Sequence, residues 1–187
     1  MPPDQQADFR RSLARYATGV TVITTTHEGV DHAMTANSFT SVSLEPLLVL
    51  VCVERDTRFH EAVYETGRWG VSVLAADQRR HAVWFATRGR PLEGQFLQVP
   101  YTRGEYSGAP LLGGAVTTLE CRTTNCHPAG DHDVLIGEVL TLGPIAVDKD
   151  PLLYWGSEYR LIGGHLETIP GRHVPTPSAD PGAGRRY

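Results

Sequence analysis

Every residue from Val20 to Thr26 is β-branched. Such side chains are stiff at χ1 and pack well on a pleated surface, so Val20-Thr21-Val22-Ile23-Thr24-Thr25-Thr26 predicts a strand. The other apolar runs are equally short. The longest, Pro46-Leu47-Leu48-Val49-Leu50-Val51-Cys52-Val53, has the length of a buried strand and falls far below a membrane span. Glu28-Gly29 offers a turn, and residues 31–36 return as the partner strand. Further strands are predicted at 47–54, 69–74, 113–126 and 132–142. Over 113–126 the alternation is strict, with Ala115, Thr117, Leu119 and Cys121 opposite Val116, Thr118, Glu120 and Arg122. Pro128-Ala129-Gly130-Asp131 makes the last two strands a hairpin-like unit. Helices are predicted at 7–18, where Phe9, Leu13, Tyr16 and Ala17 share a face ahead of Gly19, and at 58–65 and 77–86. Residues 87–112, rich in Gly, Pro, Arg and Tyr, form a long loop of the kind that is functional or covering. Several strands, few helices and no βαβ alternation predict a mainly β fold, an antiparallel barrel or sandwich.

A chain of 187 residues favours one compact domain with room for a short appendage. From residue 170 onward Pro, Gly and Arg dominate without a period, which reads as a tail. Seventeen basic residues against 21 acidic ones give a net charge of −4, so nucleic acid is not the expected partner. The polar, acidic start at residues 1–6 has no leader pattern and the three cysteines form no disulfide framework, so the expected address is the cytoplasm, with no membrane. Lys149 is the only lysine and lies in an Asp-Lys-Asp-Pro turn. Schiff-base and P-loop lysine chemistry are therefore not expected, and arginine is left to recognise phosphate or carboxylate.

Several constellations can carry chemistry. Met34 to Leu44 (Met-Thr-Ala-Asn-Ser-Phe-Thr-Ser-Val-Ser-Leu) concentrates small hydroxyl and amide groups. It suits the edge of a flat ligand, but on composition alone it reads first as a Ser/Thr-rich strand edge with local turn bonds. Phe85-Ala86-Thr87-Arg88, with Arg90 close by, can clamp a phosphate or simply end a helix with a solvated arginine. His132, in Gly130-Asp131-His132-Asp133, can bind or orient a substrate with the flanking carboxylates holding its tautomer, or be a surface hairpin histidine. Tyr154, Trp155 and Tyr159 either line a flat cofactor or pack in a closing strand. Cys121, Cys126, His127 and His132 have a Cys-x4-Cys-His-x4-His spacing that matches no tight zinc knuckle, so no metal is expected. No G-x-S-x-G and no strand-borne G-x-G-x-x-G occurs.

Taken in order, these motifs resemble the flavin reductase family, the small NAD(P)H:flavin oxidoreductases that serve two-component monooxygenases. The resemblance runs from Gly19-Val20-Thr21-Val22 through Thr35-Ala36-Asn37-Ser38-Phe39, Gly108-Ala109-Pro110, Gly130-Asp131-His132 and Pro151-Leu152-Leu153-Tyr154. It covers roughly residues 9 to 162. It implies a flavin-binding split β-barrel, Greek-key-like, with a few peripheral helices, over residues 1–164, and leaves 165–187 as an unmatched tail. It also implies a homodimer with flavin near the subunit interface. By the same resemblance Thr35, Ala36, Asn37, Ser38, Ser41, Val42 and Ser43 run along the isoalloxazine. Thr57, Phe85, Ala86 and Arg88 approach the phosphate, and His132 serves the nicotinamide. Arg55-Asp56-Thr57-Arg58 is more charged than the small-residue phosphate loop of such proteins.

The implied activity is NADH- or NADPH-dependent reduction of FMN or FAD, with reduced flavin passed to a partner monooxygenase. Hydride acceptance at the flavin N5 needs no protein nucleophile, which agrees with the lack of one here. The alternative is a flavin-binding protein with retained FMN acting as a carrier, a sensor or a reductase of another substrate. A nicotinamide role for His132 favours the first.

Overall fold

The computed structural model describes residues 3–163, so the tail expected at 165–187 lies outside the described residues. In chain order the elements are α1 (Pro3–Leu13), β1 (Thr18–Gly19), β2 (Thr21–His27), β3 (Val30–Ala36), β4 (Thr40–Leu44), β5 (Leu47–Glu54), α2 (Arg58–Thr66) and β6 (Arg68–Val73). A 3-10 turn (Ala76–Gln78) then leads into α3 (Arg79–Ala86). After it come β7 (Tyr101–Arg103), β8 (Pro110–Leu112), β9 (Thr117–Ala129), β10 (His132–Leu142), β11 (Leu153–Trp155) and β12 (Glu158–Arg160). The mainly β expectation holds.

Seven strands form the main sheet in the order β3-β2-β6-β9-β10-β5-β4, each neighbouring pair antiparallel. Two tight turns set its registers. His27 pairs with Val30, so Glu28 and Gly29 alone make the first turn, with φ of 49° and 77°. Positive φ at both central positions is the twist that closes a two-residue hairpin. Ala129 pairs with His132, leaving Gly130-Asp131 as the second turn, with Gly130 at φ 70°. The strands therefore run two residues further into the expected Pro128–Asp131 link, and His132 sits at the first position of β10.

The β-branched run is explained by burial on both faces. Ile23 joins a core with Val51, Val53, Trp69, Val71 and Cys121, while Val20 and Val22 join another with Leu74, Phe85, Phe96 and Leu152. A strand covered on both sides needs no apolar–polar alternation. At β9 both sides are also buried: Leu119, Glu120 and Cys121 are all inaccessible. Burial disfavours the Cys121 thiolate and pushes the thiol up to about 12, which makes it a core group and a poor metal ligand. Among the described residues no cluster of His, Cys, Asp and Glu gathers as a metal set.

Two expectations need correction. The first helix starts at Pro3 and stops at Leu13, and Gly19 belongs to β1, paired with Leu153. Its expected core face is open: Phe9, Leu13 and Tyr16 are 63%, 50% and 71% exposed. The 87–112 loop is partly ordered by β7 and β8, and Phe96, Val99, Ala109 and Leu112 are buried. Its turn at residues 105–107 is held by Glu120. Its carboxylate accepts from the backbone N–H groups of Glu105 (3.2 Å), Tyr106 (3.0 Å) and Ser107 (2.7 Å) and from the Ser107 hydroxyl (2.7 Å). Finally, Tyr154 and Tyr159 pack edge to face, 5.4 Å apart, against the second core, in a small sheet of β1, β11 and β12. Of the two readings of that aromatic segment, packing is the one realised.

Candidate active site

One cavity of about 630 Å³ lies where the end of β3, the middle and end of β5, the start of α2, the end of α3 and the first residue of β10 converge. Strand alternation explains its wall. On β5 Val49, Val51 and Val53 point into the core, so Cys52 and Glu54 point the other way and line the cavity. Glu54 stands directly opposite His132 in the β5–β10 ladder, which puts both side chains on that same face.

Thr35, Ala36, Asn37 and Ser38 line one side, and Thr57, Phe85, Ala86, Arg88 and His132 line the rest. Sequence reasoning thus brought most of its candidates to one place. Their hydroxyls are already employed in holding the walls. Thr35 Oγ1 donates to Ala82 O (2.7 Å), joining β3 to α3. Ser38 Oγ accepts from Cys52 N (3.1 Å), fixing the Asn37–Ser38 crossing to β5. Thr57 caps α2: its Oγ1 accepts from His60 N (3.2 Å) and donates to Glu54 O (2.8 Å). Ser41, Val42 and Ser43 are placed elsewhere, on the edge strand β4, with a register shift at Val42 and with Ser43 Oγ accepting from Glu45 N (3.1 Å). They are not part of the cavity lining.

The cations divide by partner. Arg88 is exposed, and its Nη2 donates to both Glu54 oxygens (2.9 and 2.7 Å). Arg90 is drawn inward. It donates to Phe85 O (2.9 Å), Thr87 O (3.3 Å), Gln95 Oε1 (3.1 Å) and Ala33 O, and lies 5.3 Å over the Phe85 ring. Burial, followed by the nearby Arg58 charge, pushes its guanidinium down to about 10. Arg58 Nη2 in turn donates to Arg90 O (2.7 Å).

His132 is half-exposed, and its Nδ1 meets Asp131 Oδ1 at 2.7 Å. That contact holds the Asp131 carboxyl below its ordinary value. An ionised carboxylate only accepts, so Nδ1 carries the proton and Nε2 is left for a ligand. Asp133 does not share this task, contrary to the sequence reading. The period of two turns it to the opposite face, where it accepts from Arg55 Nε (2.6 Å) and meets His60 Nε2 (2.8 Å). Arg55 also donates from its backbone to Asp131 O (3.1 Å) and from Nη1 to Gly130 O (3.3 Å). Asp133 therefore clips the hairpin carrying His132 to the helix that Thr57 caps.

His60 and Arg55 hold the buried Asp133 carboxyl below its ordinary 3.8. A depressed folded value gives stability that is complete above the unfolded value and is lost as pH falls through the folded one. Asp133→Asn should lower stability at neutral pH and flatten its acid dependence below about pH 4. Acid unfolding followed by tryptophan fluorescence checks this, and an unchanged acid slope would assign the acid loss to other carboxylates.

Fold and cavity together define a mainly β domain with an open cavity lined by small and hydroxyl side chains on one side and arginines at one end. The chain belongs to the flavin reductase-like domain family, whose sequence profile matches residues 13–163. It is 41% identical over 159 residues to an NADH-dependent FAD reductase of Streptomyces globisporus, covering 84% of this chain and 86% of that one. It is 40% identical over 157 residues to an NADH-dependent flavin reductase of a Rhodococcus species, covering 82% and 85%. Among solved structures it is similar to BorF, the flavin reductase component of a bacterial two-component tryptophan halogenase, at 43% identity and a TM-score of 0.80, covering 86% of this chain and 99% of that one. It is also similar to the Streptomyces globisporus NADH:FAD oxidoreductase SgcE6 in complex with NAD and FAD fragments, at 39% identity and a TM-score of 0.81, covering 87% and 96%.

Glu54 is the cavity residue that sequence reasoning missed; Asp133 was given the wrong partner, and Arg90 was noted only as a neighbour of Arg88. Strand alternation was the available signal for Glu54 and Asp133. For Arg90 there was only its closeness to Arg88.

Proposed function

We propose that this protein oxidises NADH to reduce FAD or FMN and passes the reduced flavin to a partner monooxygenase. The observation that carries the reading is one cavity that gathers a strip of small residues, an arginine-rich end and His132. Relatives named NADH-dependent flavin and FAD reductases, and the halogenase reductase component, support it. The residues present fit a flavin. Ala36 and Ser38 let a flat ring approach the backbone, and the cations face its phosphate. When bound, the flavin supplies the redox chemistry by accepting hydride at N5.

This chain's own residues then bind and orient. The Thr35–Ser38 strip supports the ring system. Thr57, Phe85 and Ala86 shape the far end. His132, with Asp131 fixing its Nδ1 proton, offers Nε2 to the nicotinamide amide or to charge that develops on the ring. Ser41, Val42 and Ser43 can reach the flavin only from the β4 edge, across a subunit boundary or after a local shift.

That edge supports a homodimer. Val42, Leu44 and Leu47 are 46%, 84% and 44% exposed, which leaves apolar side chains open on the β4–β5 edge of the sheet. The corresponding architecture is a split barrel completed by pairing, in the cytoplasm, with residues 1–164 as the domain and 165–187 as an appendage. Light scattering at micromolar protein with flavin present should give twice the 20.5 kDa chain mass. A monomer mass removes the dimer.

The decisive assay is anaerobic oxidation of NADH and of NADPH with added FMN, FAD or riboflavin. Turnover with free flavin supports the reductase. Tight retention of flavin without NADH consumption overturns it in favour of a carrier or sensor.

A further inference from the structure

Three arginines surround one end of the cavity, but only one is neutralised. Arg88 spends its charge on Glu54 through contacts of 2.9 and 2.7 Å. To reach a ligand phosphate it would have to leave Glu54 behind as a bare carboxylate beside a second anion, which offsets the gain. Arg58 and Arg90 have no such partner: among the described residues neither forms an ion pair with a carboxylate. Asp56 lines the same cavity and pairs with neither. The two meet at one peptide, with Arg58 Nη2 donating to Arg90 O at 2.7 Å.

Their free donors differ. A guanidinium has five N–H groups. Arg90 commits its Nε, both Nη1 contacts and one Nη2 contact to Gln95, Phe85, Thr87 and Ala33. It is thus a fixed, inward positive charge with little left to give. Arg58, the first residue of α2, is exposed and commits one contact, so it keeps a fork free to grip. Two uncompensated like charges side by side repel each other, and burial adds to the cost of Arg90. An anion brought in by the ligand relieves both.

We propose that Arg58 and Arg90, rather than Arg88, make this site prefer a phosphorylated flavin, with Arg58 gripping the flavin-side phosphate and Arg90 supplying fixed charge behind it. The proposal rests on the flavin reading above. It departs from the phosphate role that the family resemblance gave Arg88, and it uses the charged residue by which the Arg55–Arg58 segment differs from that pattern.

The test is the ratio of affinities for riboflavin, FMN and FAD, measured by quenching of flavin fluorescence in the full chain. Wild type should bind FMN and FAD more tightly than riboflavin. Arg58→Gln should weaken FMN and FAD together by about tenfold to a hundredfold and move riboflavin less than about twofold. Arg88→Gln should change the ratio far less. Arg90→Lys keeps the charge and should largely keep the ratio, whereas Arg90→Gln removes the charge and should reduce the ratio if its melting curve stays cooperative. The Arg58 variant carries the test if it does not. Equal losses for riboflavin and FMN in Arg58→Gln, a loss for FAD alone, or a collapse of the ratio in Arg88→Gln would each overturn the assignment. Failure of wild type to oxidise NADH with any flavin would instead overturn the function. The two failures are thereby told apart, because the ratio is read without turnover.

Discussion

His132→Ala should lower kcat/KM for NADH about tenfold to a thousandfold, a loss of roughly 1.4–4 kcal/mol in transition-state stabilisation, and leave flavin affinity nearly unchanged. The side chain stands at the cavity edge at the first position of β10, with Nδ1 held by Asp131 at 2.7 Å and Nε2 unclaimed by that contact. A group placed this way serves the incoming nicotinamide more than the resident ring. Flavin titration followed by stopped-flow reduction with NADH separates the two, and dithionite reduction of bound flavin should keep its wild-type rate. An unchanged NADH rate at subsaturating concentration would return His132 to an ordinary hairpin position. Asp131→Asn should reproduce part of the loss, since the imidazole stays but its orientation relaxes.

The second large effect lies away from the chemistry. Glu120→Ala should destabilise the fold by about 3–5 kcal/mol, because three backbone donors and a hydroxyl lose a buried acceptor at once. Glu120→Gln, which keeps one oxygen, should cost less. Urea unfolding reads both through the midpoint. Flavin affinity at low denaturant should persist, since the carboxylate is not among the groups lining the cavity. A loss of flavin binding without a shift in midpoint would instead tie residues 104–108 to the site.

The strands were legible in the residues because β-branching and turn chemistry are local. Val20 to Thr26, Glu28-Gly29 and Gly130-Asp131 say what they form without help from distant contacts. Glu120 shows where that ends: its alternation placed it on a face opposite the core, while the residue is 3% exposed and its carboxylate organises residues some fifteen positions earlier. The first helix fails in another way. Spacing of Phe9, Leu13 and Tyr16 marks a helix face, but no period tells what, if anything, covers that face within one chain. At the site, small residues of the Thr35–Ser38 strip and His132 were found through their motif order. The partition of arginines was not, because which cation meets Glu54 is decided between residues 34 positions apart, Arg88 and Glu54, and no local pattern reports that. Asp133 was within reach: one step of strand alternation separates its face from that of His132.

The clip made by Asp133 has a kinetic meaning. Arg55 and His60 join the turn before β10 to the first turns of α2, so two walls of the cavity are already fixed relative to each other before any ligand arrives. Little segmental ordering is then left to accompany binding, and little stored closure opposes departure. Residence time in such a site is governed by the ion contacts at one end and the stacking area at the other. A reductase whose reduced flavin must leave after each turnover is served by an open, rigid berth rather than by a closing jaw.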